Sequence, residues 1–400
     1  MPQRTDEQFV ASVRQELLGD ILPFWRGRTV DERRGGFIGE MSNDLRIRDD
    51  APKGLILNAR ILWSFSAFYR YTQDHRDRML ARRAYEYLTG HFLDQRHGGY
   101  FWELDPAGNV LDYKKKIYGQ AFCVYALAEY SRAFNDSAAI RQAADVFDLI
   151  EAYASDDQYG GYFETMSRDW RPCEDMRLSD KDMNEKKSMN NHLHVLEGYT
   201  NLVRVSREAR FVERLRDLIE LFCQHIVNRE QTHFQHFFDE AWTPKSDSYT
   251  FGHDIEGSWL LCEAADVLGS AKLSELVRSL AGKMARAVLA EGLDQDGGLF
   301  YEGRGGQIIN PNKEWWPQAE AVVGFYNAWQ LTGDAAFHDA AVRCWQFIQD
   351  RVVDHERGEW FWCIRPDGTP DPAQPKVSAW KCPYHNGRCC LEIIRRIYNL

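Results

Sequence analysis

The chain has 400 residues, 44% hydrophobic and 27% charged, and its net charge of -11 without any basic block argues against nucleic acid or an anionic membrane as partner. Nine cysteines, an odd number with no Cys-x-x-Cys, fit reduced and mostly buried thiols better than disulfides or a zinc knuckle. Residues 1–7 lack the apolar core of a signal peptide and no apolar run approaches a membrane span, so a cytoplasmic protein is expected.

Along the chain one short pattern returns: Gly35-Gly36-Phe37-Ile38-Gly39-Glu40, Gly98-Gly99-Tyr100-Phe101-Trp102-Glu103, Gly160-Gly161-Tyr162-Phe163-Glu164, Gly297-Gly298-Leu299-Phe300-Tyr301-Glu302 and Gly358-Glu359-Trp360-Phe361-Trp362. The one long gap holds a degenerate copy, His233-Phe234-Gln235-His236-Phe237-Phe238-Asp239, which makes six units with a period of about sixty residues. Each copy reads as a short strand entered through a glycine turn, and second turn signals such as Asp105-Pro106-Ala107-Gly108-Asn109 and Pro366-Asp367-Gly368 suggest hairpins.

Two helical patterns lie between successive hairpins. Those before a hairpin, such as 76–92, 138–154 and 335–352, are amphipathic with a charged face and belong outside. Those after it, 54–71, 118–134, 189–205, 253–268, 317–331 and 383–398, are apolar nearly all round and belong inside. No single pair can bury its own apolar face, so the expected fold is all-α, an (α/α)6 barrel with short β-hairpins at one end, in a single domain over 1–400.

Every inner helix then enters just after its hairpin, and six helix N-termini converge on one mouth. The entries are polar. In order they carry Lys53 with Asn58 and Arg60 slightly deeper; Tyr118 and Gln120; Asn190, Asn191, His192 and His194; His253, Asp254 and Glu256; Glu314, Trp315, Trp316 and Gln318; and Trp380, Lys381, His385 and Asn386.

In the fourth entry, His253 and Glu256 stand three apart on one helical face, so a carboxylate one turn along can tune an imidazole that the helix start disfavours as a cation. A capping cluster in which Asp254 and Glu256 complement the dipole is the structural alternative. Asn190 and His194 share a face, whereas His192 points elsewhere and cannot join His194 on one ion. His385 follows Pro383 and fits a first turn facing the mouth beside Trp380; a capping histidine is its alternative. Trp315 or Trp316 facing the cavity offers a flat apolar face for the C–H side of a pyranose, a use that the 13 Trp of the chain suit, though aromatics there can also be core. Arg60 and Tyr118 can equally form structural hydrogen bonds under the floor.

Three imidazoles and a carboxylate, His194, His253, Glu256 and His385, match a zinc set in type, but no local spacing resembles His-Glu-x-x-His. A glycosidase of the same barrel class needs two mouth carboxylates, for which Asp182, Asp254, Glu256 and Glu314 are candidates, although histidines crowding the same mouth suit that chemistry less well. Gly303-Arg304-Gly305-Gly306 does not complete a dinucleotide fingerprint, and no Walker loop is present.

From Gly35 to its C-terminus the chain resembles the N-acylglucosamine 2-epimerase superfamily, most closely its cellobiose 2-epimerase branch. The blocks that carry the likeness run through 51–60, 184–190 with His192-Leu193-His194, Gly252-His253-Asp254-Ile255-Glu256, 313–320 and Trp380-Lys381-Cys382-Pro383-Tyr384-His385-Asn386; Asn191 stands where threonine is expected. The resemblance implies an (α/α)6 barrel and reversible epimerisation at C2 of the reducing-end glucose of β-1,4-linked disaccharides such as cellobiose or lactose, with neither metal nor nucleotide cofactor.

Inverting C2 through an enediol requires protons to leave and arrive on opposite faces, so two acid/base groups must flank the carbon. His253 and His385 are the candidates, the pair that the resemblance also implies, with His385 assisting ring opening and closing. Glu256 is expected to orient His253. Arg60, Asn190, Tyr118 and His194 are expected to hold the sugar oxygens, Trp316 and Trp380 to stack on the rings, and Asp182 to meet a hydroxyl. A small sugar is the expected partner of a monomer or weak homo-oligomer. The alternatives are an aldose–ketose isomerase of the same superfamily, a glycoside hydrolase on the same barrel, and a sugar-binding barrel without activity.

Overall fold

A computed structural model describes residues 4–399 except 229 and 231, so Met1, Pro2 and Gln3 of the N-terminal stretch lie outside it. In chain order the helices are α1 (Arg4–Glu16), α2 (Leu22–Arg28), α3 (Leu55–Thr72), α4 (His75–Tyr87), α5 (Ile117–Phe134), α6 (Ser137–Tyr153), α7 (Met189–Val205), α8 (Ala209–Leu221), α9 (Phe251–Leu268), α10 (Ala271–Glu291), α11 (Trp315–Thr332), α12 (Ala335–Phe347) and α13 (His385–Tyr398). The odd-numbered helices from α3 to α13 form a closed inner ring, each packed on the next, with α13 returning to α3. The others pack outside, and α1 covers α13. This is the (α/α)6 barrel expected from the period. Among the described residues no helix is long and apolar enough to cross a membrane.

Tight turns join inner to outer helices and set the pairs antiparallel. α3, α5, α9 and α11 each end on a residue in the left-handed region, Gln73, Asn135, Gly269 and Gly333. In all four turns the next residue is already the N-cap of the outer helix, and three of these caps bond through the side chain: Asp74 accepts from Arg76 N, Asp136 from Ala138 N and Ala139 N, and Asp334 from Ala336 N. A reversal of chain direction thus takes two residues.

The hairpin end is stitched between units as well as within them. The strand residues just before an inner helix pair antiparallel with the hairpin of the next unit: Lys53 with Leu104, Lys115 with Met166, Lys187 with Phe238 and Lys313 with Ile364. A bridge between Met41 and Val377 joins the first unit to the last. Each of those lysines also reaches the aspartate opening a glycine turn: Lys53 to Asp31, Lys115 to Asp94, Lys187 to Asp156 and Lys313 to Asp294, with Lys376 on Asp354 in the last unit. These lysine side chains are at most 6% exposed, so each buried cation needs its carboxylate there.

The fourth residue of an inner helix also braces a hairpin. Gln120 bonds Tyr100 N and O, His192 accepts from Tyr162 N, Asp254 accepts from Phe234 N, and Gln318 bonds Leu299 N and O. Asp254 also holds His233 Nδ1 at 2.7 Å. His192 and Asp254 are therefore structural, which removes Asp254 from the carboxylates available at the mouth.

Candidate active site

Side chains at the sixth position of successive inner helices turn onto the barrel axis because that position follows the second by one turn on the same face. They are Arg60, Phe122, His194, Glu256 and Glu320, and α13 adds Arg388. All six are buried. The ring forms two arcs: the Arg60 guanidinium lies 4.4 Å over the Phe122 ring and Phe122 lies 4.7 Å from His194, while Arg388 Nη2 meets Glu256 Oε1 at 2.6 Å and Glu320 Oε1 at 2.7 Å. Below it Glu197, one turn deeper on α7, accepts from Arg388 Nη1 and from the Tyr384 hydroxyl.

Three imidazoles stand on this base, each fixed through Nδ1. His385 Nδ1 is 2.7 Å from Glu320 Oε1, His194 Nδ1 is 2.9 Å from Glu197 Oε2, and His253 Nδ1 is 2.5 Å from Thr250 Oγ1. Among the described residues none hydrogen-bonds any of the three Nε2 atoms. His253 and His385, from α9 and α13, lean on one indole: Trp316 lies 4.7 Å from the first ring and 5.7 Å from the second. His253 keeps partial exposure, whereas His194 and His385 are buried.

The electrostatics follow from removing water. Burial pushes the pKa of His253 well down, aided by the positive charge that His236, His194 and His385 would carry. His385 is pushed down in the same direction, first by burial and then by Arg60 and Arg388, and His194 is lowered by burial against the pull of Glu197. All three are neutral at neutral pH. Burial and Glu320 push Glu256 up to about 8 against the pull of Arg388, whereas Glu197 lies below the usual carboxylate range because Arg388, His194 and Tyr384 together outweigh its burial.

Arg60 and Tyr118 form the opposite wall. Arg60 Nη2 donates to the Tyr118 hydroxyl at 2.9 Å and Nη1 reaches Trp380 O at 3.3 Å, while its buried Nε has no acceptor. Tyr118 packs edge-on against His194 at 4.8 Å and Trp380 at 6.0 Å. Asn190, at the second position of α7, has a buried Oδ1 without a donor. Those two idle groups, one donor and one acceptor, suit a polyhydroxylated ligand that offers both.

Eight of the sequence candidates thus converge: His253, His385, Glu256, His194, Arg60, Tyr118, Trp316 and Trp380. Glu256 does so in a different role. It turns to Arg388 and lies 4.0 Å from His385 Nδ1, leaving His253 to Thr250, because the buried guanidinium is the nearest opposite charge. Asp182 sits in a loop with its carboxylate tied back to Ser179 N at 2.7 Å and Oγ at 2.8 Å, at the rim beside Glu164 and Tyr301, whose pKa values it helps to raise after burial. The composition of the ring escaped sequence reasoning at Glu320, Glu197, Tyr384 and Arg388. The sixth-position register was the available signal for Glu320; Glu197, Tyr384 and Arg388 lie at other positions of α7 and α13.

The zinc set read from the sequence does not gather as such. The donors that converge within 4.8 Å are Glu256, Glu320 and His385, and Arg388 Nη2 already stands on both carboxylates. A cation there would have to displace a buried guanidinium. Of the carboxylates a hydrolase would use, Asp254 is committed to His233 and Glu256 to Arg388, while Glu314 accepts from Trp316 Nε1 at 3.2 Å and is pushed by burial to about 7.

Residues 36–389 match the family model described as N-acylglucosamine 2-epimerase (GlcNAc 2-epimerase). A cellobiose 2-epimerase from Bacteroides fragilis is 44% identical over 390 residues, covering 97% of this chain and 99% of that one. One from Dictyoglomus turgidum is 38% identical, covering 96% and 97%. The solved structure of cellobiose 2-epimerase from Bacillus thermoamylovorans superposes with a TM-score of 0.92 at 38% identity, covering 98% of this chain and 100% of that chain.

Proposed function

The chain belongs to the N-acylglucosamine 2-epimerase family, and on that premise we propose that it is a carbohydrate epimerase acting reversibly at C2 of the reducing-end glucose of β-1,4-linked disaccharides such as cellobiose and lactose. The relatives named above support the substrate class. The observation that carries the chemistry is the pair of imidazoles His253 and His385, supplied by two different helices, neutral, fixed through Nδ1 and leaning on one indole.

A C2 hydrogen can leave as a proton only when C1 is an aldehyde that accepts the electron pair, so ring opening comes first. Neutral His385 takes the O1 proton, the C1–O5 bond breaks, and O5 takes a proton from solvent; Glu320 on Nδ1 stabilises the imidazolium. Neutral His253 then removes the C2 proton. The C2–H electron pair becomes the C1=C2 bond and the carbonyl pair moves to O1, where the Arg60 guanidinium and the Tyr118 hydroxyl meet the developing charge. His385 gives its proton to the other face of C2 as the O1 pair returns to the carbonyl; His253 then releases the C2 proton to solvent and His385 takes one up, so that reversal of the opening step, with O1 accepting from His385 and O5 losing its proton to solvent, closes the mannose ring.

Trp316 and Trp380 offer faces for the sugar rings, Asn190 and His194 polar edges for hydroxyls, and Asp182 a carboxylate at the rim.

Incubation with cellobiose in deuterium oxide tests the reading. A 4-linked mannose product bearing deuterium at C2 is expected by NMR and chromatography. A ketose product would make the protein an isomerase instead, released monosaccharides would make it a hydrolase, and unchanged sugar would sink the assignment.

A further inference from the structure

The His253 imidazole differs from its two companions in what holds it. His385 and His194 give their Nδ1 protons to carboxylates, which can only accept, so Nε2 is left with its lone pair. His253 meets a hydroxyl, Thr250 Oγ1, which can donate to Nδ1 or accept from it. If it donates, the ring proton moves to Nε2 and the free edge has no lone pair with which to take a proton. Something further must settle the direction.

That something is His236. The backbone N–H of Thr250 donates to His236 Nε2 at 3.2 Å, so this nitrogen is an acceptor and the ring proton of His236 is on Nδ1. The Thr250 hydroxyl lies 3.4 Å from the same nitrogen, and the two imidazole rings are 5.8 Å apart, edge to face. Burial pushes the pKa of His236 down to about 4, which keeps the lone pair available at working pH. Thr250 is also the N-cap of α9, yet its hydroxyl makes no capping bond. Ser188, at the same position of α7, does cap, accepting from Asn191 N. The threonine has left the usual use of an N-cap side chain to stand between two imidazoles.

The geometry points to a tautomer lock: Thr250 and His236 are positioning residues that run a hydrogen-bond chain from His253 Nδ1–H to the Thr250 hydroxyl and on to His236 Nε2, leaving the Nε2 lone pair of His253 free for the proton at C2. The inference rests on the reading of His253 as a base, and it adds a pair of residues that never touch the sugar.

Thr250→Val keeps the shape and removes the hydroxyl; Thr250→Ser restores it. For Thr250→Val, kcat is expected to fall about 10- to 100-fold with KM within about twofold, part of the range a positioned base contributes, and Thr250→Ser is expected to recover most of the loss. His236→Met, which lacks the acceptor, is expected to follow Thr250→Val. Nitrogen-15 NMR of the wild-type protein, with His253→Gln used to assign the signal, is expected to show the Nδ1–H form of His253, shifting toward Nε2–H in Thr250→Val. A wild-type Nε2–H signal, or a Thr250→Val protein within twofold of wild-type kcat, overturns the lock. The same assay on His253→Gln separates the two ideas: activity surviving there removes the base itself, whereas loss there with full activity in Thr250→Val removes only the lock.

Discussion

His385 Nδ1 lies 2.7 Å from Glu320 Oε1, an oxygen that Arg388 Nη2 holds at the same distance from its other side. The carboxylate is shared between a cation that never changes charge and an imidazole that must gain and lose one.

Replacing Glu320 by Gln keeps an acceptor for Nδ1 and removes the charge. A hydrogen bond to a charged group is worth about 1.5–3 kcal/mol, so kcat is expected to fall roughly 10- to 100-fold with KM little changed. Steady-state kinetics on cellobiose checks this; an unaltered kcat would show that His385 needs no counter-charge.

Arg388→Met leaves Glu197 and Glu320 facing each other in the bore without their cation, next to Glu256. Removing one partner of a buried ionic network costs about 3–5 kcal/mol. The denaturation midpoint in urea is expected to drop accordingly, and a midpoint unchanged from wild type would mean that the carboxylates are held otherwise.

His253→Ala and His385→Ala each remove one flank of the reacting carbon. Turnover is expected to fall by about 100-fold to 10,000-fold or more, with the circular dichroism spectrum of the barrel retained. A near-normal rate in His385→Ala would refute the two-base scheme.

Burial holds His253 and His385 well below the ordinary histidine value of 6.5. Both bases therefore stay neutral as pH falls through 6.5, and kcat/KM is expected to remain flat there and to decline only at more acid pH. The same shift has a stability sign. The folded form binds these protons more weakly than the unfolded chain, so stability is full above 6.5 and drains as pH falls toward the depressed values. An acid limb centred at 6.5 in the rate profile would contradict the dry site.

Asp20 behaves oppositely. Burial, Glu16 and Glu359 push its pKa to about 7, while its oxygens accept from Glu359 N at 3.1 and 2.9 Å and tie the N-terminal region to the last hairpin. A raised carboxylate contributes stability that is complete below its unfolded value of 3.8 and is lost as pH rises toward 7. Asp20→Asn, which retains an acceptor without the charge, is expected to melt higher than wild type at pH 8 and to converge with it as pH falls to 3.8. Equal melting curves at pH 8 would sink this account.

The barrel was legible because its signals are local and repeated. A glycine turn, a helix apolar all round and a helix with one charged face recur about every sixty residues, and a helix with no polar face can be buried only inside a ring of others. Even the degenerate unit at His233 lies where the one long gap between glycine turns requires a copy. The convergence of His253 and His385 followed from the same period, since the inner helices all enter at one mouth and both residues lie in the first turn of theirs.

Sequence alone therefore determined the architecture and which helix entries meet at the mouth, because both are set by periodicity along the chain. Tertiary structure decided who holds whom. Glu256 sits one turn from His253 in sequence yet goes to Arg388, and His385 takes its carboxylate from Glu320, 65 residues away. A buried charge settles on the nearest opposite charge in space, and that distance exists only once six helices have closed into a ring.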